Sequence, residues 1–446
     1  MHFRFKYILF LIYILNKSYI YAFNYQSKKI SPNINTFFNR YLNLRSFSNK
    51  NINNKISTNS NKEGLYYFDI NIGTPFQQFS VLIDTGSNFF FINNNKCKGC
   101  NSKNGFITTE SKTYNSINKF ININYISGGV SGVISNDLIK INDNNILNLS
   151  FFLINESNID LEFDGIFGLS KNIKDINNTI YSPLNQLFHD NFFLLDFPHH
   201  SFYISEIPSY FNNIKYFSCP RKSIYNLNNF YWKCMSEKVE FKNNYNSNII
   251  MNNNIIFDSG INFVVLSLNY ISFFQSILDN NKILSKAKCE IRKSAENKFI
   301  YQLFCDNINN LILEEKIEDK EDFINIFFDN KNSISFGLND LYDKDKNVWK
   351  LYFIPLVNNT IILGIPFFEK YPILLSKDND EIIIFNEQKN ILEHKLNNKS
   401  TINIILNVFI IIIIILFILL IYRIYKKRKN NQYNSINFEK QISTYG

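Results

Sequence analysis

Two segments of this chain put a carboxyl where a carboxyl is costly. One reads Val81-Leu82-Ile83-Asp84-Thr85-Gly86-Ser87 and the other Ile255-Ile256-Phe257-Asp258-Ser259-Gly260-Ile261. In each, three large apolar residues typical of a buried strand run straight into an Asp. Such an Asp must be hydrogen-bonded or put to chemical use to offset its desolvation. Two copies, far apart, imply a duplicated unit whose carboxyls meet. Carboxyls that meet share one proton, because both cannot ionise cheaply side by side. The ionised member can take a proton from water while the protonated member donates to the group under attack. That chemistry needs neither a metal nor a covalent nucleophile. The five histidines are scattered and form no ligand constellation, so no metal and no cofactor is expected.

The elements that carry the two motifs repeat as well. The Gly after each Asp lets the backbone approach closely and turn. Downstream of the first motif comes Phe163-Asp164-Gly165-Ile166-Phe167-Gly168, and downstream of the second comes Ile361-Ile362-Leu363-Gly364. A repeat this long means two lobes rather than a solenoid. Around the motifs, short apolar runs alternate with period two between Asn, Gly, Ser and Asp breaks. Tyr66–Ile72, Phe79–Ile83, Ile121–Tyr125, Gly132–Ile141 and Ile382–Phe385 read as strands. Helix is confined to Ser182–His189 and Leu268–Leu278 as the best candidates.

In this order and company, the motifs resemble those of the pepsin-like aspartic proteases. The residues that carry the resemblance are Ile70-Asn71-Ile72-Gly73-Thr74-Pro75, Asp84-Thr85-Gly86-Ser87, Phe163 to Gly168, Tyr231-Trp232, Asp258-Ser259-Gly260 and Ile362-Leu363-Gly364. It covers roughly residues 64–390. The biased composition and a C-terminal anchor make the chain similar to membrane-anchored apicomplexan plasmepsins, although it lacks an extra Cys-rich insert. The resemblance implies a mostly β, bilobal fold with pseudo-twofold lobes and an active-site cleft. It implies Asp84 and Asp258 as the catalytic pair, with Thr85, Gly86, Ser87, Ser259 and Gly260 supporting them. Thr85 and Ser259 would cross-bond beneath the site. Tyr125, Ile126, Ser127 and Gly128 would form a flap over bound peptide, with Tyr125 as its aromatic tip.

Three positions depart from the family pattern. Ile261 stands where a hydroxyl residue is usual, which should raise the Asp258 pKa. Ile365 stands where many members carry Asp, which should lower that of the pair. Phe91 replaces a Trp that would bond the flap Tyr.

Length and charge bound the rest. At 446 residues, about two or three domains are expected. Of the net charge of +9, residues 1–62 carry +10 and residues 423–446 carry +5, so residues 63–422 carry −6. Basic ends on a mildly acidic body exclude the usual nucleic-acid binder. The basic start, the apolar run Tyr7–Leu15 and the small residues ending at Ala22 read as a signal peptide over 1–22, with a signal anchor as the alternative. Ile404–Tyr422 is apolar apart from Asn407, and at 1.5 Å rise it spans about 28 Å. Arg423 and Lys426–Lys429 follow at once, which places the tail in the cytosol and the body in a lumenal or extracellular space.

All six cysteines, Cys97, Cys100, Cys219, Cys234, Cys289 and Cys305, lie between those two segments. An even count in an oxidising compartment implies disulfides. Fifteen connectivities are open; pairing of sequential neighbours is the simplest. The expected division is 1–22 signal peptide, 23–62 prosegment or disordered linker, 63–215 N-terminal β lobe, 216–395 C-terminal β lobe, 404–422 transmembrane helix and 423–446 basic tail.

The leading expectation is a monomeric, membrane-anchored aspartic endopeptidase of the secretory pathway acting on peptides or proteins. The alternative is a pepsin-fold protein that binds peptides without cutting them. A third reading, an adhesive surface protein, explains the anchor but not the paired motifs.

Overall fold

The structure is a computed structural model. It describes residues 55–386, apart from short internal stretches and the longer ones at 171–182, 187–191, 220–230, 294–299 and 306–321. Among the described residues no helix is long and apolar enough to cross a membrane. The segments expected to be signal peptide and anchor lie outside them.

Strands follow from period-two burial. Along Tyr66–Ile72, Phe68, Ile70 and Ile72 are buried, while Tyr67, Asp69 and Asn71 are partly or fully open to solvent. The other four runs form strands at Gln77–Asp84, Asn115–Tyr125, Gly128–Asn142 and Glu381–Phe385. The stretch Leu268–Leu278 becomes a 3-10 turn over Leu268–Tyr270 that runs into the helix Ile271–Asn280. Of Ser182–His189 only Pro183 and Gln186 are described, and both are helical.

The internal repeat is a topological one. In the eight-stranded sheet of the first lobe, Gln77–Asp84 lies parallel to Gly165–Gly168, pairing Ile83 with Phe167 and Asp84 with Gly168. In the nine-stranded sheet of the second lobe, Ser247–Phe257 lies parallel to Thr360–Leu363, pairing Ile256 with Ile362 and Phe257 with Leu363. Each parallel partner is also flanked by an antiparallel strand, Phe90–Lys98 in one lobe and Val264–Ser267 in the other. Buried on both faces, these central strands read as continuous apolar runs.

A third, six-stranded sheet draws on both halves of the chain. Its order is Lys55–Ser57, Ser201–Ile204, Phe192–Asp196, Ile373–Ser376, Glu381–Phe385 and Tyr216–Ser218. This corrects the expected division at two points. The linker assigned to 23–62 does not extend to residue 62: Ile56 and Thr58 are buried, Thr58 N–H donates to His200 O at 3.0 Å, and Asn59–Ser60 pairs with Tyr66–Tyr67. Strands from 373 to 385, assigned to the second lobe, pair with Phe192–Asp196 from the first. Weak patterning hid both, because an edge strand of three residues buries a single apolar side chain.

The 45 phenylalanines are spent largely on packing. Phe68 and Phe90 meet Phe167 edge-on at 5.2 and 5.3 Å behind the first motif, and Phe257 meets Phe367 at 5.1 Å behind the second. Disulfides join Cys97 to Cys100, Cys219 to Cys234 and Cys289 to Cys305, all sequential neighbours.

Ile56→Ala tests the corrected boundary. Truncating a docked strand's one buried apolar side chain should cost about 2 kcal/mol in denaturant unfolding. A change under about 0.5 kcal/mol, the size expected at an ordinary surface position, would mean that this segment is not part of the folded body.

Candidate active site

Each Asp sits where its strand ends and the chain turns. The parallel neighbour holds the turn in place: Leu169 N–H donates to Asp84 O at 2.7 Å, and Asp258 N–H donates to Leu363 O at 3.0 Å. Side chains then point each carboxyl back over its own loop. Gly86 N–H donates to Asp84 Oδ1 at 2.8 Å, and Gly260 N–H donates to Asp258 Oδ1 at 3.0 Å. Asp84 is 0% exposed and Asp258 1%.

The loops are locked together by a reciprocal set of bonds. Thr85 N–H donates to Ser259 Oγ at 3.0 Å, and Ser259 N–H donates to Thr85 Oγ1 at 2.9 Å. Each hydroxyl then donates onward into the opposite strand, Thr85 to Phe257 O at 3.0 Å and Ser259 to Ile83 O at 2.8 Å. Each hydroxyl thus uses its single proton and also accepts. Net, each such bond contributes about 1 kcal/mol, but leaving a buried partner unmatched costs about 1–3 kcal/mol.

Glycine is required here by space. A Cβ on Gly86 would lie 2.4 Å from Asp258 Oδ2, and one on Gly260 would lie 2.5 Å from Asp84 Oδ1. Each glycine therefore sits against the carboxyl of the other lobe, and the two carboxyls face each other. Burial pushes the Asp258 carboxyl well above the usual carboxylate range, and the negative charge of Asp84 pushes it further; the Gly260 N–H pulls it back in part. The arrangement can hold one proton between two acids and leave one base.

Tyr231 is a neighbour that the sequence did not assign to the site. Trp232 O accepts from Phe257 N–H at 3.0 Å, which brings Tyr231 alongside Asp258. Burial holds its phenol neutral, reinforced by Asp258 and then Asp84. The signal was present in the Tyr231-Trp232 motif, but no periodicity ties that motif to an Asp in another strand. Trp232 itself donates Nε1–H to Leu169 O at 2.7 Å, linking the lobes below the loops.

The remaining expected residues fall as follows. Ser87 and Ile261 are both buried, 7% and 2% exposed. Ile365 is fully buried, and its N–H donates to Ile261 O at 2.9 Å. Phe91 is a core residue, with rings of Phe89 at 5.4 Å and Phe152 at 5.6 Å. The expected flap is a hairpin in which Tyr125 pairs with Gly128 and Ile121 with Gly132. Ile126 and Ser127, between them, lie outside the described residues. At its base, Asp137 accepts from Ser111 Oγ at 2.8 Å and from Thr113 Oγ1 at 2.5 Å. Among the described residues no group of three His, Cys, Asp or Glu could hold a metal ion.

Two outcomes follow from this geometry. Asp258→Asn should be more stable than the parent at pH 7 and equal to it in acid. The sign is fixed by the raised native pKa: ionising Asp258 costs nothing below the unfolded value near 3.9, and the penalty grows as pH rises above it. Thermal unfolding from pH 3 to 7 reads this, and a constant difference across that range contradicts it. Thr85→Val should cost about 2–4 kcal/mol, because Ser259 N–H loses its acceptor and Phe257 O its donor.

Comparison with known proteins agrees with the geometry. The family model described as eukaryotic aspartyl protease matches residues 65–384. Plasmepsin IV of Plasmodium falciparum is 24% identical over 325 residues, 69% of this chain and 66% of that protein. Vacuolar protease A of Aspergillus fumigatus is 31% identical over 147 residues, 32% of this chain and 36% of that protein. Pepsin A of Gallus gallus is 35% identical over 111 residues, 24% of this chain and 30% of that protein. In each case the matched stretch spans less than two thirds of the relative. With the family model running through both lobes and both motifs, the chain belongs to the eukaryotic aspartyl protease family.

Proposed function

We propose that this protein is an aspartic endopeptidase in which Asp84 and Asp258 activate a water molecule for attack on a peptide bond. The observation that carries the reading is the mutual approach of two buried carboxyls across cross-bonded loops. One ionised carboxylate takes a proton from the water. The protonated partner donates to the peptide carbonyl as the tetrahedral intermediate forms. The roles then reverse, and the proton passes to the leaving amine. The substrate would lie extended in the cleft, its backbone paired with the loops at Gly86 and Gly260 and with the hairpin tipped by Tyr125, Ile126, Ser127 and Gly128. That hairpin would close over the peptide and keep out bulk water.

We also place the body in a secretory lumen or outside the cell, held by a helix over residues 404–422. The apolar run with its basic stop supports the anchor, and the three disulfides support an oxidising compartment. The residues before Lys55 would then be a removable basic prosegment facing an acidic body.

The test is cleavage of a mixed peptide library by residues 23–402 secreted from an oxidising host, assayed from pH 3 to 7.5. Asp84→Ala and Asp258→Ala should each lower the rate at least about 10²–10⁴-fold, the usual share of acid–base groups. A folded, processed protein that binds peptides and cuts none at any pH overturns the reading and favours the peptide-binding alternative. For the anchor, the full chain should stay with membranes after alkaline carbonate washing, and a chain ending at residue 402 should be released. Release of both would remove the anchor.

A further inference from the structure

The pseudo-twofold relating the two loops is kept at three successive positions and broken at the fourth. Asp84 corresponds to Asp258, Thr85 to Ser259 and Gly86 to Gly260, and their hydrogen bonds correspond one for one. At the next position the first lobe has Ser87 and the second has Ile261. A hydroxyl that can donate and accept is matched by a branched alkyl group that can do neither. Ile261 is also fixed in place. It packs with Tyr231, Phe263 and Ile362, and a Cβ on Gly364 would lie 2.7 Å from its Cγ1.

The consequence falls on one carboxyl. Asp258 Oδ1 accepts from Gly260 N–H, but the buried Oδ2, apart from the facing carboxyl of Asp84, meets no protein donor. Neither oxygen of Asp84 is in that condition. A buried carboxyl oxygen without a donor is least costly when protonated, since a neutral carboxyl brings its own O–H.

We infer that Ile261 is a positioning residue: by withholding a donor of the kind Ser87 places in the other lobe, it keeps the shared proton on Asp258 and leaves Asp84 as the ionised base. This rests on the peptidase reading above and deepens it. The titratable groups facing Asp258 are Asp84 on the opposite loop and Tyr231 on the segment before Lys233–Lys242. Tyr231 stays neutral, so Asp84 is the only charge in that set. Ile365, on the far side of Gly364, adds a second apolar wall and no charge. Burial and the Asp84 charge act on Asp258 in the same direction as the missing donor.

The test compares Ile261→Thr with Ile261→Val, side chains of nearly equal shape that differ by a hydroxyl. The alkaline limb of the kcat/KM profile reports loss of the shared proton. Ile261→Thr should move that limb down by about one pH unit, the size of one hydrogen bond to a charged group, while Ile261→Val leaves it in place. Unfolding reads the same effect without activity: from pH 4 to 7, Ile261→Thr should lose less stability than Ile261→Val. If the two variants agree in both measurements, the inference is overturned. A protein that cuts nothing, yet whose unfolding separates Thr from Val, contradicts the peptidase reading alone and leaves the proton on Asp258.

Discussion

The structure depends on bringing two carboxyls together away from water. Nothing about that placement is favourable in itself: each acid is desolvated, and each repels the other once ionised. The surrounding elements are arranged to hold them there. Parallel strand pairs deliver both Asp residues at the ends of buried strands. Glycines leave room for the opposite carboxyl. The Thr85–Ser259 exchange fixes the loops against separation, with every proton in the exchange used. Remove any one of these and the carboxyls need not meet. The aromatic cores behind the loops serve the same end, since close packing lets a strand end resist displacement.

Much of this was legible in the sequence because burying an Asp is expensive. Val81-Leu82-Ile83-Asp84 and Ile255-Ile256-Phe257-Asp258 break the rule that apolar strands end in turn residues without cost, and each breaks it in the same way. Strands such as Tyr66–Ile72 were legible because alternation has one physical reading. Other parts were not legible, for reasons equally physical. Lys55–Ser57 is too short to show a period, and its partner Ser201–Ile204 lies far along the chain. The six-stranded sheet is invisible to local reasoning, since it is made from ends of both halves. Tyr231 joins the site through register with Phe257, which depends on pairing rather than on pattern. Ile261 was legible as a departure, but only the cross-bonded geometry assigns its effect to one carboxyl.

The two lobes are therefore similar in backbone and unequal in chemistry. A shared proton does not by itself need inequality, and two equivalent acids would pass it back and forth. An apolar wall under one of them biases where it rests before substrate arrives. The fold supplies symmetry for closeness, and single side chains supply direction. The same division explains why the central strands tolerate so many phenylalanines while the loops do not vary in type.

The central claim is that the two carboxyls hold one proton between them over a wide range of pH. Infrared difference spectroscopy of the folded protein, titrated from pH 3 to 8, reads it directly in the protonated carboxyl C=O band. The account predicts that one such band persists above about pH 3.9, where an ordinary Asp has ionised, and that Asp258→Asn removes it. Loss of every protonated Asp band at that ordinary value, in protein with its loops intact, would mean that the carboxyls titrate independently and that the pair is not a pair.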